Sequence, residues 1–120
     1  MSFRIASKTA KKSPHKQHKL GAVIVKGKRI LSCGFNSLRP SRLLDTPHLH
    51  AEAAAVLKLL KEKRLSDLSG AEMYVTRFTR GGRIGLARPC LHCSELLASV
   101  GISKVYYTTD EETTEEMKFD

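Results

Sequence analysis

The chain is 120 residues long, with a hydrophobic fraction of 41% and no Trp. This length suits one compact domain and is too short for two, so any functional site must be built from elements around a single core. No apolar run approaches the roughly 20 residues of a membrane span, and the basic first residues are not followed by an apolar signal region. We therefore expect a single cytoplasmic domain with no membrane partner.

The charge of the chain is distributed unevenly. The formal net charge is +9, but residues 1–48 hold eleven Lys or Arg against the single acid Asp45, and residues 110–120 hold six acids against one Lys. We expect the basic half to attract phosphate-bearing partners, either free nucleotides or nucleic acid, and this attraction should weaken with salt. A solvated charged face with no partner is the alternative for any single lysine.

Strand and helix patterns alternate along the chain, which predicts a layered α/β domain. The stretch RIASKTAKK predicts a short amphipathic helix, and LGAVIVK, KGK and RILSCGF predict a strand, a turn and the second strand of a hairpin. The following NSLRPSRLLDTPH has the Pro, Asn and Ser content of a loop. From His50 to about Lys63, apolar residues recur at helical spacing and alanine is frequent, so a second helix is predicted.

The second half of the chain predicts one more unit of strand, helix and strand. AEMYVTRF predicts a third strand, TRGGRIGLAR a Gly-rich and Arg-rich connection, and CLHCSELLASV a helix that opens after Pro89 and ends at Gly101. KVYYTT predicts a fourth strand, and the length of the helical crossover indicates that it runs parallel to the third. After residue 109 the chain continues as the acidic segment 110–120.

Three cysteines, two of them in the spacing CxxC, indicate a reducing compartment and a metal site, with zinc as the first candidate. Cys90 and Cys93 are three residues apart, so on the first turn of a helix both sulfurs lie on one face and can bind one ion. A catalytic zinc site needs a third protein ligand, and His50, which opens the other helix, can supply it. A purely structural site is the alternative, with His92 or His48 as its fourth ligand.

Glu52 is the candidate catalytic residue. Side chains two residues apart on a helix point to nearly opposite faces, so His50 and Glu52 share one site only at the start of the helix, where the backbone is still turning in. A carboxylate beside a zinc ion, without itself ligating, takes a proton from the attacking water and returns it to a leaving group. These residues predict a hydrolytic site with one Zn²⁺ per chain.

The motif HAE at residues 50–52, followed forty residues later by PCLHC, resembles the signature of the zinc-dependent cytidine and deoxycytidylate deaminases. The resemblance extends from near Leu20 to near Thr109. It implies a three-layer α/β sandwich, with a mixed sheet of four or five strands and helices on both faces, as one catalytic domain over residues 1–109. The fifth strand of many relatives is absent here or replaced by the acidic segment, so the sheet edge needs covering by a partner or by that segment.

The resemblance also implies roles for the residues of the two motifs. His50, Cys90 and Cys93 would bind zinc, while Glu52 would move protons between water, the ring nitrogen of the base and the departing amino group.

Three further residues would contact the substrate if the resemblance holds. Asn36 stands where relatives often place an asparagine against the sugar, and the backbone amide of Ala51 would meet the base carbonyl. Arg88 precedes PC, where relatives commonly have Ser, Thr or Glu, so it would hold a phosphate or point into solvent. For Asn36, simple termination of the strand by turn chemistry is the alternative. Other arginines in the preceding connection would clamp phosphate or only add solubility: Arg77, Arg80 and Arg83.

The implied activity is hydrolytic deamination of the cytosine base of a free nucleoside or nucleotide of CMP or dCMP type, giving uracil and ammonia. The first alternative keeps the chemistry but acts on cytosine or adenine in single-stranded RNA, DNA or tRNA, which the basic half favours. The second alternative is a non-catalytic basic module whose zinc only joins two helices. The expected partners are a small nucleoside or nucleotide and a second copy of the chain in a homo-oligomer, with nucleic acid possible because of the basic surface.

Overall fold

The computed structural model describes residues 2–15, 18–37 and 50–119 of the chain. Three α-helices, a short 3-10 helix at Leu65–Leu68 and six strands follow one another within these residues. Most of the predicted loop NSLRPSRLLDTPH, including His48, lies outside them. The helices are α1 at Ser2–Ala10, α2 at Ala51–Lys61 and α3 at Leu91–Ser99. The strands are β1 at His18–Lys26, β2 at Arg29–Phe35, β3 at Glu72–Thr79, β4 at Ile84–Gly85, β5 at Lys104–Thr108 and β6 at Thr114–Lys118.

The strands form one mixed sheet in the order β2-β1-β3-β5-β6, with the short β4 paired to β3. The pair β3 and β5 is parallel, as the helical crossover between them predicts, and the other pairs are antiparallel. The predicted α/β class and mixed sheet are confirmed. The predicted number of four or five strands is too low, because β4 lies inside the Gly-rich connection and β6 lies inside the acidic segment.

Strand β6 is built from the acidic segment at the end of the chain. It pairs with β5 over Lys104↔Lys118 to Thr108↔Thr114, so this segment covers the sheet edge that β5 would otherwise expose. Its acids lie beside polar partners on β5: Tyr107 Oη donates to Glu115 Oε2 at 3.1 Å, and Lys104 Nζ lies 3.5 Å from Glu116 Oε2. Met117, which follows them and pairs with Val105, packs against the core. Cross-strand pairing and one apolar contact thus make a strand from a sequence that is mostly charged.

Helices cover both faces of the sheet, as predicted. Alternate residues of β1 point to opposite faces: Ala22 and Ile24 belong to the larger core with α2 and α3, whereas Val23 and Val25 pack with Ala6 of α1. The larger core is mainly aliphatic, although Tyr107 is also buried in it. None of the described helices has the length and apolar character that crossing a lipid bilayer requires.

Two glycines allow helices to lie directly on the sheet. A Cβ at Gly21 of β1 would meet backbone atoms of Ala6 and Ala10 in α1, well below the 3.0 Å that real Cβ contacts keep. A Cβ at Gly34 of β2 would likewise meet the backbone of Ala51 and Ala55 in α2. The alanines of α2 complete this close approach, since they are buried without needing space for longer side chains. The first turn of α2 is therefore fixed by direct backbone contact with β2.

We expect the Gly34→Ala substitution to lower the free energy of unfolding by roughly 1–3 kcal/mol or more, because the added methyl group forces the backbone of α2 off β2. Chemical denaturation of the two proteins measures the change. Gly81→Ala is the matched control, since a Cβ at Gly81 meets no atom within 4 Å. Equal losses in both variants would show that the approach of α2 to β2 is not as tight as described.

Candidate metal centre

Two helix N-termini meet at one end of the sheet and bring three metal-binding side chains together. His50 is the N-cap of α2, with extended φ and ψ of −76° and 153° and no side-chain capping hydrogen bond. Cys90 is the N-cap of α3, and its Sγ accepts a hydrogen bond from the backbone N–H of Cys93. Cys93 lies on the first turn of α3 and is buried. The positive ends of both helix dipoles therefore lie at this point, where they favour thiolate.

The three donor atoms have the spacing of a single metal site. His50 Nδ1 lies 3.3 Å from Cys93 Sγ and 3.7 Å from Cys90 Sγ, and all three donor atoms are within 4.8 Å of one another. In a tetrahedral zinc site, nitrogen and sulfur ligands are separated by roughly 3.6 Å. The residues therefore fit one zinc ion. His92 is exposed and not part of this group, and His48, the other suggested fourth ligand, lies outside the described residues.

Glu52 lies on the first turn of α2, next to this group, and is only 3% exposed. Because the backbone of His50 is still extended, its side chain can point to the same site as that of Glu52 although only one residue separates them. Burial raises the pKa of the Glu52 carboxyl to about 7, although a hydrogen bond from its own backbone N–H acts in the opposite direction and lowers the pKa. Its Oε1 has no hydrogen-bond partner in the described part of the chain. The carboxyl is thus positioned to exchange protons with a bound molecule.

Cys93 needs a neighbouring cation to be a thiolate. Burial raises the pKa of its thiol well above the usual range, and the charges of Glu52 and Cys90 act in the same direction. A carboxylate and two sulfurs so close together repel one another when all are ionised. A divalent cation between them would remove this repulsion, which is a second reason to regard the group as a metal site.

A cavity of about 260 Å³ opens beside the metal-binding group. His50, Glu52 and Cys90 line its metal side. Its volume is close to the lower end of the range for small-molecule sites, which suits one small ligand. All three residues predicted to contact substrate line the same cavity, so the fold brings them to the predicted metal ligands: Asn36, Ala51 and Arg88.

The side chain of Asn36 also closes the end of the hairpin. Its Oδ1 accepts from the backbone N–H of Leu20 at 2.9 Å, and its Nδ2 donates to the carbonyl of His18 at 2.8 Å. These bonds hold the amide at the edge of the cavity in a fixed orientation. Each of its polar atoms keeps capacity for one more hydrogen bond, so a substrate contact by Asn36 stays a prediction.

The cavity wall includes residues that motif reasoning did not identify. His15 lies before β1, His18 is its first residue, and both line the cavity together with Ser37. These residues belong to no recognisable sequence motif. His18 Nδ1 accepts a hydrogen bond from Arg77 Nη2 at 2.6 Å, and Arg77 Nη1 donates to the carbonyl of Leu86 at 3.2 Å. The pKa of His18 is lowered by partial burial and by the charges of Arg77 and His15.

The structure divides the arginines that the sequence places around the Gly-rich connection. Arg77 and Arg88 line the cavity, whereas Arg80 and Arg83 are exposed and do not. Cys33 lies on β2, half-buried beside the α1 side of the core, and takes no part in the metal-binding group.

The family of cytidine and deoxycytidylate deaminases, described by its zinc-binding region, matches this chain over residues 1–109. The chain is 33% identical over 126 residues to the deoxycytidylate deaminase of Mycobacterium phage D29, an alignment that covers 86% of this chain and 88% of that protein. The crystal structure of the dCMP deaminase from cyanophage S-TIM5 in apo form is similar with a TM-score of 0.67 at 30% identity, over 90% of this chain and 79% of that one.

Two further structures are similar to the chain. The cyanophage enzyme has also been solved in complex with dCMP and dUMP, and this structure has a TM-score of 0.65 at 29% identity, over 89% of this chain and 77% of that one. The cytidine deaminase from Burkholderia pseudomallei has a TM-score of 0.72 over 98% of this chain and 89% of that one. At 20% identity, this last likeness indicates the fold alone.

Proposed function

Since this chain belongs to the family of cytidine and deoxycytidylate deaminases, we propose that it deaminates the cytosine base of a free nucleotide of dCMP or CMP type. The products are the uracil nucleotide and ammonia. A deoxycytidylate deaminase as a 33% identical relative and the complex of the cyanophage enzyme with dCMP and dUMP support a nucleotide rather than a nucleoside. The cationic wall of the cavity supports the same choice, because a nucleotide carries a phosphate and a nucleoside does not.

The observation that carries the proposal is the buried carboxyl of Glu52 beside three metal-binding side chains, at a cavity of about 260 Å³. His50, Cys90 and Cys93 would hold the zinc ion. When bound, zinc supplies the Lewis acidity that lets water react as a nucleophile at neutral pH. A purely structural zinc site would not need a buried acid with an unsatisfied oxygen next to the metal. The oxygen of Glu52 therefore favours a catalytic zinc site over a structural one.

Glu52 is the residue that moves protons in the proposed reaction. Its carboxylate accepts a proton from the attacking water and passes it to the ring nitrogen N3 of cytosine while the new C–O bond forms at C4. It then transfers the second proton of this water to the exocyclic amino group, which leaves as ammonia when the C–N bond breaks. Its burial keeps other water away, so the proton passes between the carboxyl and the reacting atoms.

The first turn of α2 would orient the base. The backbone N–H groups of a first helical turn have no partner within the helix, and the side chain of His50 does not cap those of α2. The N–H of Ala51, at the cavity wall, is therefore positioned to donate to the carbonyl of the base. Asn36, just after the end of β2, would contact the sugar, and the exposed Arg88 would add positive charge on the substrate side of the cavity.

Deamination of a base within single-stranded nucleic acid is the second candidate. Lys11 Nζ lies 5.7 Å from the ring centroid of Phe78, which follows the cavity residue Arg77 on β3. A base stacked near this ring and phosphates along the cations would be a common way to hold a single strand. Further exposed cations lie in or just after α1 and in the Gly-rich connection: Lys8, Lys12, Arg80 and Arg83.

The location and assembly of the protein are part of the proposal. Cys33, Cys90 and Cys93 form no disulfide, which supports a reducing compartment such as the cytoplasm. Leu91 is 69% exposed at the start of α3 and Leu86 is 41% exposed at the cavity, which supports a second copy of the chain covering the mouth of the site in a homo-oligomer.

A panel of substrates tests the proposed function. We expect zinc-loaded protein to release ammonia from dCMP or CMP with a kcat/KM roughly 10-fold or more above that for deoxycytidine and cytidine, since a phosphate adds charge-assisted hydrogen bonds. Chromatography of the uracil products measures the rates. Turnover confined to single-stranded oligonucleotides in the same panel would select the second candidate. No turnover of any cytosine substrate would contradict both.

A further inference from the structure

The cavity has more positive than negative side chains on its wall. Of its described lining residues, only Glu52 is acidic, while Arg77 and Arg88 are permanently charged and His15 and His18 add imidazoles on the same wall. Glu52 serves the metal side, so the charges of the arginines are not balanced by an acid of the cavity. A cavity with such a wall is suited to a ligand with a negative group.

Arg77 is held in place without an anionic partner. Its guanidinium donates to the carbonyl of Leu86 and to the ring of His18, two neutral acceptors that fix its position. In the described part of the chain no carboxylate forms an ion pair with it, and its Nε, shielded from solvent, has no hydrogen-bond partner. A partly buried guanidinium without an anion is costly, and a functional role is the usual reason for keeping one.

The unsatisfied buried side-chain atoms of the described residues all belong to residues of this cavity. Three buried side-chain atoms lack a hydrogen-bond partner, and each belongs to a residue that lines this cavity: Ser37 Oγ, Glu52 Oε1 and Arg77 Nε. Glu52 already has a proposed role, the transfer of protons to the cytosine base. The hydroxyl of Ser37 and the guanidinium of Arg77 remain for the rest of the ligand.

We propose that Arg77 is the residue that recognises the phosphate of the nucleotide and so sets the preference for nucleotide over nucleoside. This inference rests on the proposed function. Arg77 is favoured over Arg80 and Arg83, which are exposed and away from the cavity, and over Arg88, which is exposed and has no hydrogen bond that fixes it among the described contacts. Arg88 then adds charge at the mouth, and Ser37 donates its hydroxyl to the sugar or phosphate.

The product dUMP and its nucleoside deoxyuridine test this inference by direct binding. Isothermal titration of zinc-loaded protein should show that Arg77→Gln weakens dUMP binding roughly 10- to 100-fold, since one charge-assisted contact is lost. Deoxyuridine binding should change much less, so that the ratio of the two affinities falls. Arg77→Lys keeps the positive charge but loses the paired N–H donors of the guanidinium, so its ratio of dUMP to deoxyuridine affinity should lie between those of the wild type and Arg77→Gln. Arg83→Gln is the matched control.

Kinetic measurements separate this inference from the proposed function. In Arg77→Gln, the ratio of kcat/KM for dCMP to that for deoxycytidine should fall by the same factor as the binding ratio. Equal losses for both ligands, or an unchanged dUMP affinity, would overturn the role of Arg77 and leave the deaminase proposal intact. A protein that deaminates neither compound but binds dUMP through Arg77 would overturn the proposed function and keep the phosphate site.

Discussion

The Glu52→Gln variant is expected to lose about 10³-fold in kcat for the preferred nucleotide while it keeps one zinc ion per chain. Glutamine has the shape of glutamate but cannot accept a proton from water and return it to the leaving amino group. Zinc should stay, because the metal-binding group consists of His50, Cys90 and Cys93. Rates of ammonia release and metal analysis by mass spectrometry measure the two properties on the same sample.

The stability of this variant distinguishes a catalytic carboxyl from a structural one. Glu52 is buried, and its Oε1 makes no hydrogen bond within the described residues. Because burying a charge without a partner is unfavourable, removing the charge should leave the free energy of unfolding unchanged or raise it. Glu95→Gln, on the exposed side of α3, controls for loss of an acid near the site. A Glu52→Gln protein that is markedly less stable, or that retains normal turnover, would contradict the assigned role.

The Cys93→Ala variant is expected to bind zinc roughly 100-fold more weakly or worse and to lose measurable activity. Mutation of residues that only hydrogen-bond to the metal ligands typically lowers metal affinity by roughly 10- to 100-fold, so loss of a ligand itself should lower zinc affinity at least as much. Cys93 is the buried member of the group and lies 3.3 Å from His50 Nδ1, so no exposed side chain can replace its sulfur without rearrangement. Competition with a zinc-binding dye measures the affinity.

Removal of zinc should also lower the thermal stability of the wild-type protein. The ion would join the first turns of α2 and α3, and a ligand that binds only the folded state stabilises it according to its concentration and affinity. A chelator should therefore lower the melting temperature of the wild type and of Cys33→Ala, which loses a thiol on β2 outside the group. The melting temperature of Cys93→Ala should not respond. A chelator response in Cys93→Ala equal to that of the wild type would argue against this ligand set.

Local sequence patterns predicted most of the elements that carry the site. The hairpin of β1 and β2 follows from two apolar runs around a Gly turn, and α2 follows from an alanine-rich helical repeat after His50. The helix α3 begins one residue after Cys90, and Gly101 has the positive φ of 97° expected just after a helix. These features depend on residues within one or two turns of each other, and short-range preferences are therefore sufficient to indicate them.

The spacing of the two motifs also determined the metal-binding group. His50 opens the helix that follows β2, and the CxxC pair opens the helix between β3 and β5. Because β2 and β3 are both antiparallel to β1, they run in the same direction, and the N-termini of the two helices lie at the same edge of the sheet. The sequence therefore predicted an imidazole and two thiols at one site, and their donor atoms lie within 4.8 Å of one another; zinc binding by these three residues stays a prediction.

Only the tertiary structure showed which charged residues form a strand and which lie at the cavity. The acidic segment gave no strand pattern, yet β5 offers it cross-strand partners and the core offers a place for Met117, so it forms β6. Arg77 and Arg83 look alike in the sequence, but the pairing of β3 with β1 puts Arg77 beside His18 at the cavity and leaves Arg83 in solvent. Strand register, burial and the absence of a neighbouring carboxylate are set by residues far apart in the chain, and no local pattern contains them.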